Sequence, residues 1–167
     1  MINPRPIDVL ENLVATLDAS VLPRLKDADV LSAATTTRHM LRYVLSQLRY
    51  EPASFAAELP RLTGLLEQVR NFLERVGASE ALHGVDAALA SAAVSNADGH
   101  EGLATRIAHL REGLHGAHRT LIEHRGEWAA DPGYAELRGT IREYLSWQNL
   151  EEAKIVAPAF YGQGARR

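Results

Sequence analysis

The sequence predicts an all-α protein, an up-and-down bundle of four main helices with one or two short extra ones. Three observations predict it. Apolar residues recur at three- and four-residue spacing almost throughout the 167 residues, the spacing that lines one side of a helix. No stretch shows the strict apolar–polar alternation of a half-buried strand. The segments between periodic runs are short and carry Pro, Gly, Asn or Asp, which suits antiparallel neighbours joined by tight turns.

Residues 9–21 give the first helix, with Val9, Leu10, Leu13, Val14, Leu17 and Val21 as its inward stripe and Pro23 interrupting it near the end. Asp29 is the expected N-cap of a second helix reaching Tyr50, with Leu41, Val44, Leu45 and Leu48 inward. Pro52 marks a turn. A third segment, 54–76, uses Phe55, Leu59, Leu62, Leu65, Leu66, Val69, Phe72 and Val76, with Pro60 dividing or kinking it and Gly77 stopping it. Ser79 is read as the cap of a short alanine-rich helix to Val94, and 95–100 as a loop. A long helix over 101–128 follows. Asp131 then caps a last helix that has Pro132 at its first position, buries Leu137, Ile141, Tyr144 and Leu145, and ends before Pro158. One domain is expected over 1–167, with 154–167 an extended, apolar C-terminal tail.

Composition bounds the chemistry. Hydrophobic residues at 46% and charged residues at 23% are ordinary globular values, so a packed core is expected. A net charge of -3 supplies no global attraction to nucleic acid or an anionic membrane. The absence of cysteine excludes disulfides, thiolate zinc sites and cysteine nucleophiles. With no secretory-type N-terminus and no apolar run of membrane-spanning length, a cytoplasmic protein is expected, with neither nucleic acid nor membrane as partner.

One cluster resembles reactive chemistry. Four of the seven histidines, His109, His115, His118 and His124, lie in one helical stretch, and Glu112 sits one turn before His115. Imidazole and carboxylate one turn apart can share a metal, and imidazole can move protons near neutral pH. At about 100° per residue, however, the four rings spread around the helix, flanking or leaving the stripe of Leu103, Leu110, Leu114, Leu121 and Trp128. At most one pair can meet: Glu112 with His115, or His115 with His118. Glu112 and His115 are therefore the metal candidates, against a solvated polar face. His118, beside the apolar stripe, is the candidate for proton transfer, against a histidine satisfied by a hydrogen bond. Glu80-x-x-His83 comes too close before Glu112 for the pair to build a four-helix di-iron site. Gly113 and Gly116 beside the histidines admit a close helix crossing.

Arg38, Arg42 and Arg49 share one side of the second helix. Such a row can hold phosphate or an acidic partner, and can equally be a solvated face whose stems cover the core edge. The tail around Phe160 and Tyr161 can cap the core or dock on a partner. Tyr43, Trp128 and Trp147 could line a small-molecule site, or simply fill core. Phosphate loops, dinucleotide fingerprints, nucleophile elbows and zinc-protease motifs are all missing, and no cofactor is expected.

The first sixty residues carry a family likeness. Arg5-Pro6, Val9-Leu10, Leu13, Leu17, the run Val21-Leu22-Pro23-Arg24-Leu25, the helix ending Leu45, Leu48 and Glu51, and Glu58-Leu59-Pro60-Arg61-Leu62 together resemble small bacterial all-helical proteins of unknown function encoded beside aminoglycoside-phosphotransferase-like kinases and acyl-CoA dehydrogenases. The resemblance implies a non-catalytic helper of a kinase acting on hydroxyacyl-CoA, and no functional residue carries over from it. Three readings follow. The first is a non-catalytic accessory subunit with a protein partner or a homo-oligomer. The second is a metal-binding bundle or enzyme using His115, His118 and Glu112, and the third a small-molecule-binding bundle.

Overall fold

The computed structural model describes residues 4–94 and 99–160. Its regular structure there is entirely helical: α1 (Pro6–Thr16), α2 (Ala28–Val76), α3 (Ser79–Val94), α4 (Gly99–Glu123), the one-turn α5 (Arg125–Trp128) and α6 (Pro132–Phe160). A π-type turn at Leu17–Val21 and a 3-10 turn at Leu22–Arg24 connect α1 to α2, so Pro23 interrupts the chain where expected.

Several helix ends follow from single residues. Asp27, two positions before the expected cap, starts α2: its Oδ1 accepts the N–H groups of Asp29 at 2.9 Å and Val30 at 3.0 Å. Gly77 adopts φ 73, and the N–H of Ala78 reaches back to the carbonyl of Leu73 while that of Gly77 reaches Glu74. This double return closes the C-terminus of α2 in a conformation that only glycine takes without strain. Ser79 is the first helical residue of α3 rather than its cap. Asp131 accepts the N–H of Gly133 at 2.7 Å and caps α6, with Pro132 at the first helical position.

Four boundaries differ from expectation: the helix expected over 101–128 stops at Glu123 and resumes after His124 as α5, and proline is behind the other three. The turn at Pro52 and the break at Pro60 are absent: α2 is one helix of 49 residues. Each proline deletes one ladder hydrogen bond, but an unbroken helix keeps Glu58, Leu62, Leu65 and Leu66 buried on one side, and that burial outweighs the local penalty. Residues 154–160, expected as extended tail, continue α6 through Pro158. The last turn is anchored by His39, described below, and Tyr161 lies outside the described residues.

The chain falls into two compact units: residues 53–149, and residues 1–52 with 150–167. The larger unit is a four-helix bundle built from the 53–76 part of α2, α3, α4 and the first half of α6. Phe72 meets Tyr134 while Arg61 lies over Trp147, so α2 and α6 run antiparallel here. Arg106 donates to the carbonyl of Ala92, and Gly113 faces Ala88, so α3 and α4 are antiparallel as well. The order is therefore up-down-up-down. Leu62, Leu66, Leu73, Leu110 and Leu121 are fully buried in the shared core, with Phe72, Trp128 and Tyr134 forming an aromatic group at one edge. A Cβ on Gly113 would come within 2.5 Å of the Ala88 Cβ, which makes this the close crossing that glycine permits. Gly116 has open space instead.

The smaller unit is held differently. Glu11 of α1 and Asp18 of the π-type turn that continues it lie two turns apart on one side, and that side faces α2: Glu11 pairs with Arg49, while Asp18 pairs with Arg38 at 3.2 Å and Arg42 at 2.7 Å. The expected inward stripe is divided: Leu10, Val14, Leu17 and Val21 are half-buried, whereas Val9 and Leu13 fall opposite the two acids and are exposed.

Candidate functional site

The polar residue most deeply buried in the larger unit is Glu58, at 1% exposure. It lies on the inward side of α2, and two neighbouring helices converge on it. Arg111 of α4 donates to it bidentately, Nε to Oε1 and Nη2 to Oε2, both at 2.7 Å. The Tyr144 hydroxyl of α6 donates to Oε1 at 2.6 Å. The fork of a guanidinium matches a carboxylate in just this way, and a charge so placed needs all of its acceptors filled. Phe55 lies under the Arg111 guanidinium at 5.8 Å and stacks on His100.

Protonation follows from these contacts. Burial works against the charge of Arg111, but the hydrogen bonds and charge of Glu58 outweigh it and raise its already high pKa. Burial, then the hydrogen bond to Glu58, pushes the Tyr144 phenol well above its usual range. Tyr144 is thus a fixed proton donor, and Glu58 has both oxygens engaged. The triad ties α2, α4 and α6 of this unit together.

Beside it, α4 and α6 enclose a cleft of about 170 Å³ lined by Arg111, His115, His118, Ile141, Tyr144 and Gln148. Here His115 and His118 do come together on one wall, as their spacing allows. Glu112 does not join them: it lines a separate groove between α3 and α4 with Gly84, Gly113, Gly116 and Arg119. Glu112 and His115 thus line different grooves of α4. Among the described residues no group of three or more histidine and acidic side chains converges as a metal site would need. His109 lies over Ala90 and Val94, and His124 stacks on Trp128 at 4.9 Å. The four histidines serve three different surfaces.

Arg38 and Arg42 pair with Asp18 of the turn after α1, and Arg49 with Glu11 of α1, so the row is engaged within its own chain. Burial opposes the charge on Asp18, yet hydrogen bonds from Arg38 and Arg42 hold its carboxyl below the usual carboxylate range. Arg38 Nη2 also approaches His39 Nε2 at 3.2 Å, and an arginine can only donate. The His39 proton therefore sits on Nδ1, which donates to the Ala159 carbonyl at 2.7 Å, and the Phe160 ring stacks on the imidazole at 5.7 Å. Phe160 caps this end of α6 with one side and is half exposed on the other. Of the aromatic candidates, Trp128 packs with Phe72 and Tyr134, Trp147 with Tyr144 and Arg61, and Tyr43 is exposed on α2, so no shared pocket forms from them.

Sequence reasoning missed Glu58, Arg111 and His39. A signal for Glu58 was present: with Phe55, Leu62, Leu65, Val69 and Phe72 it keeps the 3-4-3-4-3 spacing of an inward stripe, a carboxylate at a core position. No helix among the described residues is long and apolar enough to cross a membrane. Compared with protein-family models, curated proteins and solved structures, the chain matches none.

Proposed function

We propose that this protein is a non-catalytic interaction subunit of the cytoplasm that engages a protein partner through the apolar surface of its smaller unit. One observation carries the reading: α1 and the turn that continues it attach to α2 through Glu11 and Asp18, while Val9 and Leu13 are turned outward into solvent. A helix that ties its acids to its own chain and leaves apolar side chains such as these uncovered offers a partner a surface to bury. In the larger unit, by contrast, no group of three or more histidine and acidic side chains converges among the described residues.

Affinity capture from the native host, paired with light scattering on the purified chain, tests this. The full chain retains a partner or self-associates, and Leu13→Glu, an exposed substitution that leaves the helix content unchanged, weakens that association. A strict monomer that retains nothing overturns the proposal. The resemblance of the first sixty residues supplies the first bait, a kinase or dehydrogenase of acyl-CoA chemistry.

A further inference from the structure

The first half of α2 carries a second apolar face that is independent of α1. At about 100° per residue, Val30, Ala33, Thr37, Met40, Val44 and Gln47 form one seam at 3-4-3-4-3 spacing, opposite the side that bears Arg38, Arg42 and Arg49. The seam contains no charge. Val30, Met40 and Val44 are exposed, Met40 by 66%, and Leu48 is exposed at the seam's edge. The Thr37 hydroxyl donates to the Ala33 carbonyl at 3.0 Å, and one N–H of the Gln47 amide donates to the Tyr43 hydroxyl at 3.2 Å. Only Gln47, at the end of the seam, carries further polar groups, which water reaches at the rim of a pairing.

We propose that this seam pairs with the same seam of a second copy, antiparallel, about a two-fold axis near residues 38 and 39. The inference rests on the interaction reading and names its partner. Side-chain size argues for a copy: the antiparallel register brings Ala33 opposite Val44 and Thr37 opposite Met40, so small faces large in each layer. A parallel pairing sets Met40 against Met40 and Ala33 against Ala33, overfilled in one layer and empty in the other. Charge agrees. The antiparallel register brings Lys26, just before the helix, level with Glu51 of the second copy at both ends, whereas the parallel one sets Glu51 against Glu51. From Val30 to Leu48 the seam is about 27 Å long, and on the order of 600 Å² per copy is covered, at the lower edge of what stable complexes bury. Such a dimer forms and dissociates with concentration, and each seam meets itself under two-fold symmetry.

Sedimentation equilibrium of the full chain over roughly two decades of micromolar concentration reads the association. The expected result is a monomer–dimer equilibrium, with Met40→Glu raising the dissociation constant roughly a hundredfold or more because it buries an unpaired charge. The direction of pairing is read by oxidation, since the natural chain has no cysteine: a mixture of Thr37→Cys and Met40→Cys chains cross-links between the two variants, and neither does so alone. Self-linking of either variant alone overturns the antiparallel register. A dimer that Met40→Glu leaves intact overturns the seam while sparing the interaction reading. A monomer at all concentrations that still captures another protein overturns self-pairing only, and a monomer that captures nothing removes both.

Discussion

The two units of this chain use the same helical periodicity for opposite ends. In residues 53–149 the apolar stripes meet one another, and leucines of α2 and α4 lose all contact with water. In residues 4–52 and 150–160 the stripes are only partly covered: Val9 and Leu13 of α1 and Val44 and Leu48 of the first half of α2 are exposed while Leu45 is buried, and ion pairs to Glu11 and Asp18 hold the two segments. The exposed large apolar side chains divide accordingly. Of the fifteen among the described residues, Val94, Ile122 and Leu145 belong to the larger unit, and the other twelve to the smaller, although it is the shorter of the two. The lesson is that a helical stripe says that a surface is to be buried, and leaves open by whom.

The largest test of this contrast sets one leucine against another. Leu66→Ala, at a site fully out of water, is expected to lower stability by about 3 to 4 kcal/mol, while Leu13→Ala changes it by less than about 0.5 kcal/mol in the dilute monomer. Urea denaturation of both variants measures the difference, and equal losses would erase the distinction between the units. A smaller effect is expected inside the larger unit. Glu58→Gln leaves the Arg111 charge without its carboxylate, and because that guanidinium is 38% exposed, water recovers part of the penalty. A loss of about 2 kcal/mol is expected rather than the larger cost of a fully dry pair. The same denaturation assay checks it, and an unchanged midpoint would mean that Glu58 packs without contributing.

The smallest effect belongs to Asp18 and depends on pH. Its folded-state pKa lies below the ordinary value of 3.8, so its ionised form is favoured by folding. The stabilisation is complete above that value and is lost as pH falls through the lower folded one. Helicity followed by circular dichroism from about pH 5 to about pH 2 should show a step that Asp18→Asn abolishes, worth under about 1 kcal/mol because the pair is partly exposed. An identical acid titration for the variant would show that Asp18 does not hold α1.

Much of the fold was legible because its signals are local. The stop at Gly77, the cap at Asp131 and the span of α3 follow from backbone preferences that act within a few residues. Pro52 and Pro60 misled for the opposite reason: their local penalty is real, and it is overridden by burial further along the same helix. The site was less legible. Whether Glu112 and His115 share a groove depends on where α3 and α6 lie about α4, and nothing within the stretch 109–124 encodes that. The arginine row was visible as a row, yet its partners Glu11 and Asp18 are twenty to thirty-eight residues away. Direction was equally hidden, since the stripe on α1 reads the same whether it faces inward or out.

The chain has two tryptophans, Trp128 and Trp147, and both pack within the larger unit, beside Phe72 and beside Tyr144. The smaller unit is therefore dark to indole fluorescence, although its helices contribute to the far-ultraviolet dichroism. A melt followed by emission watches one unit, and a melt followed by ellipticity watches both. Coincidence or separation of the two curves then measures whether the ion-paired helices melt with the leucine core or before it.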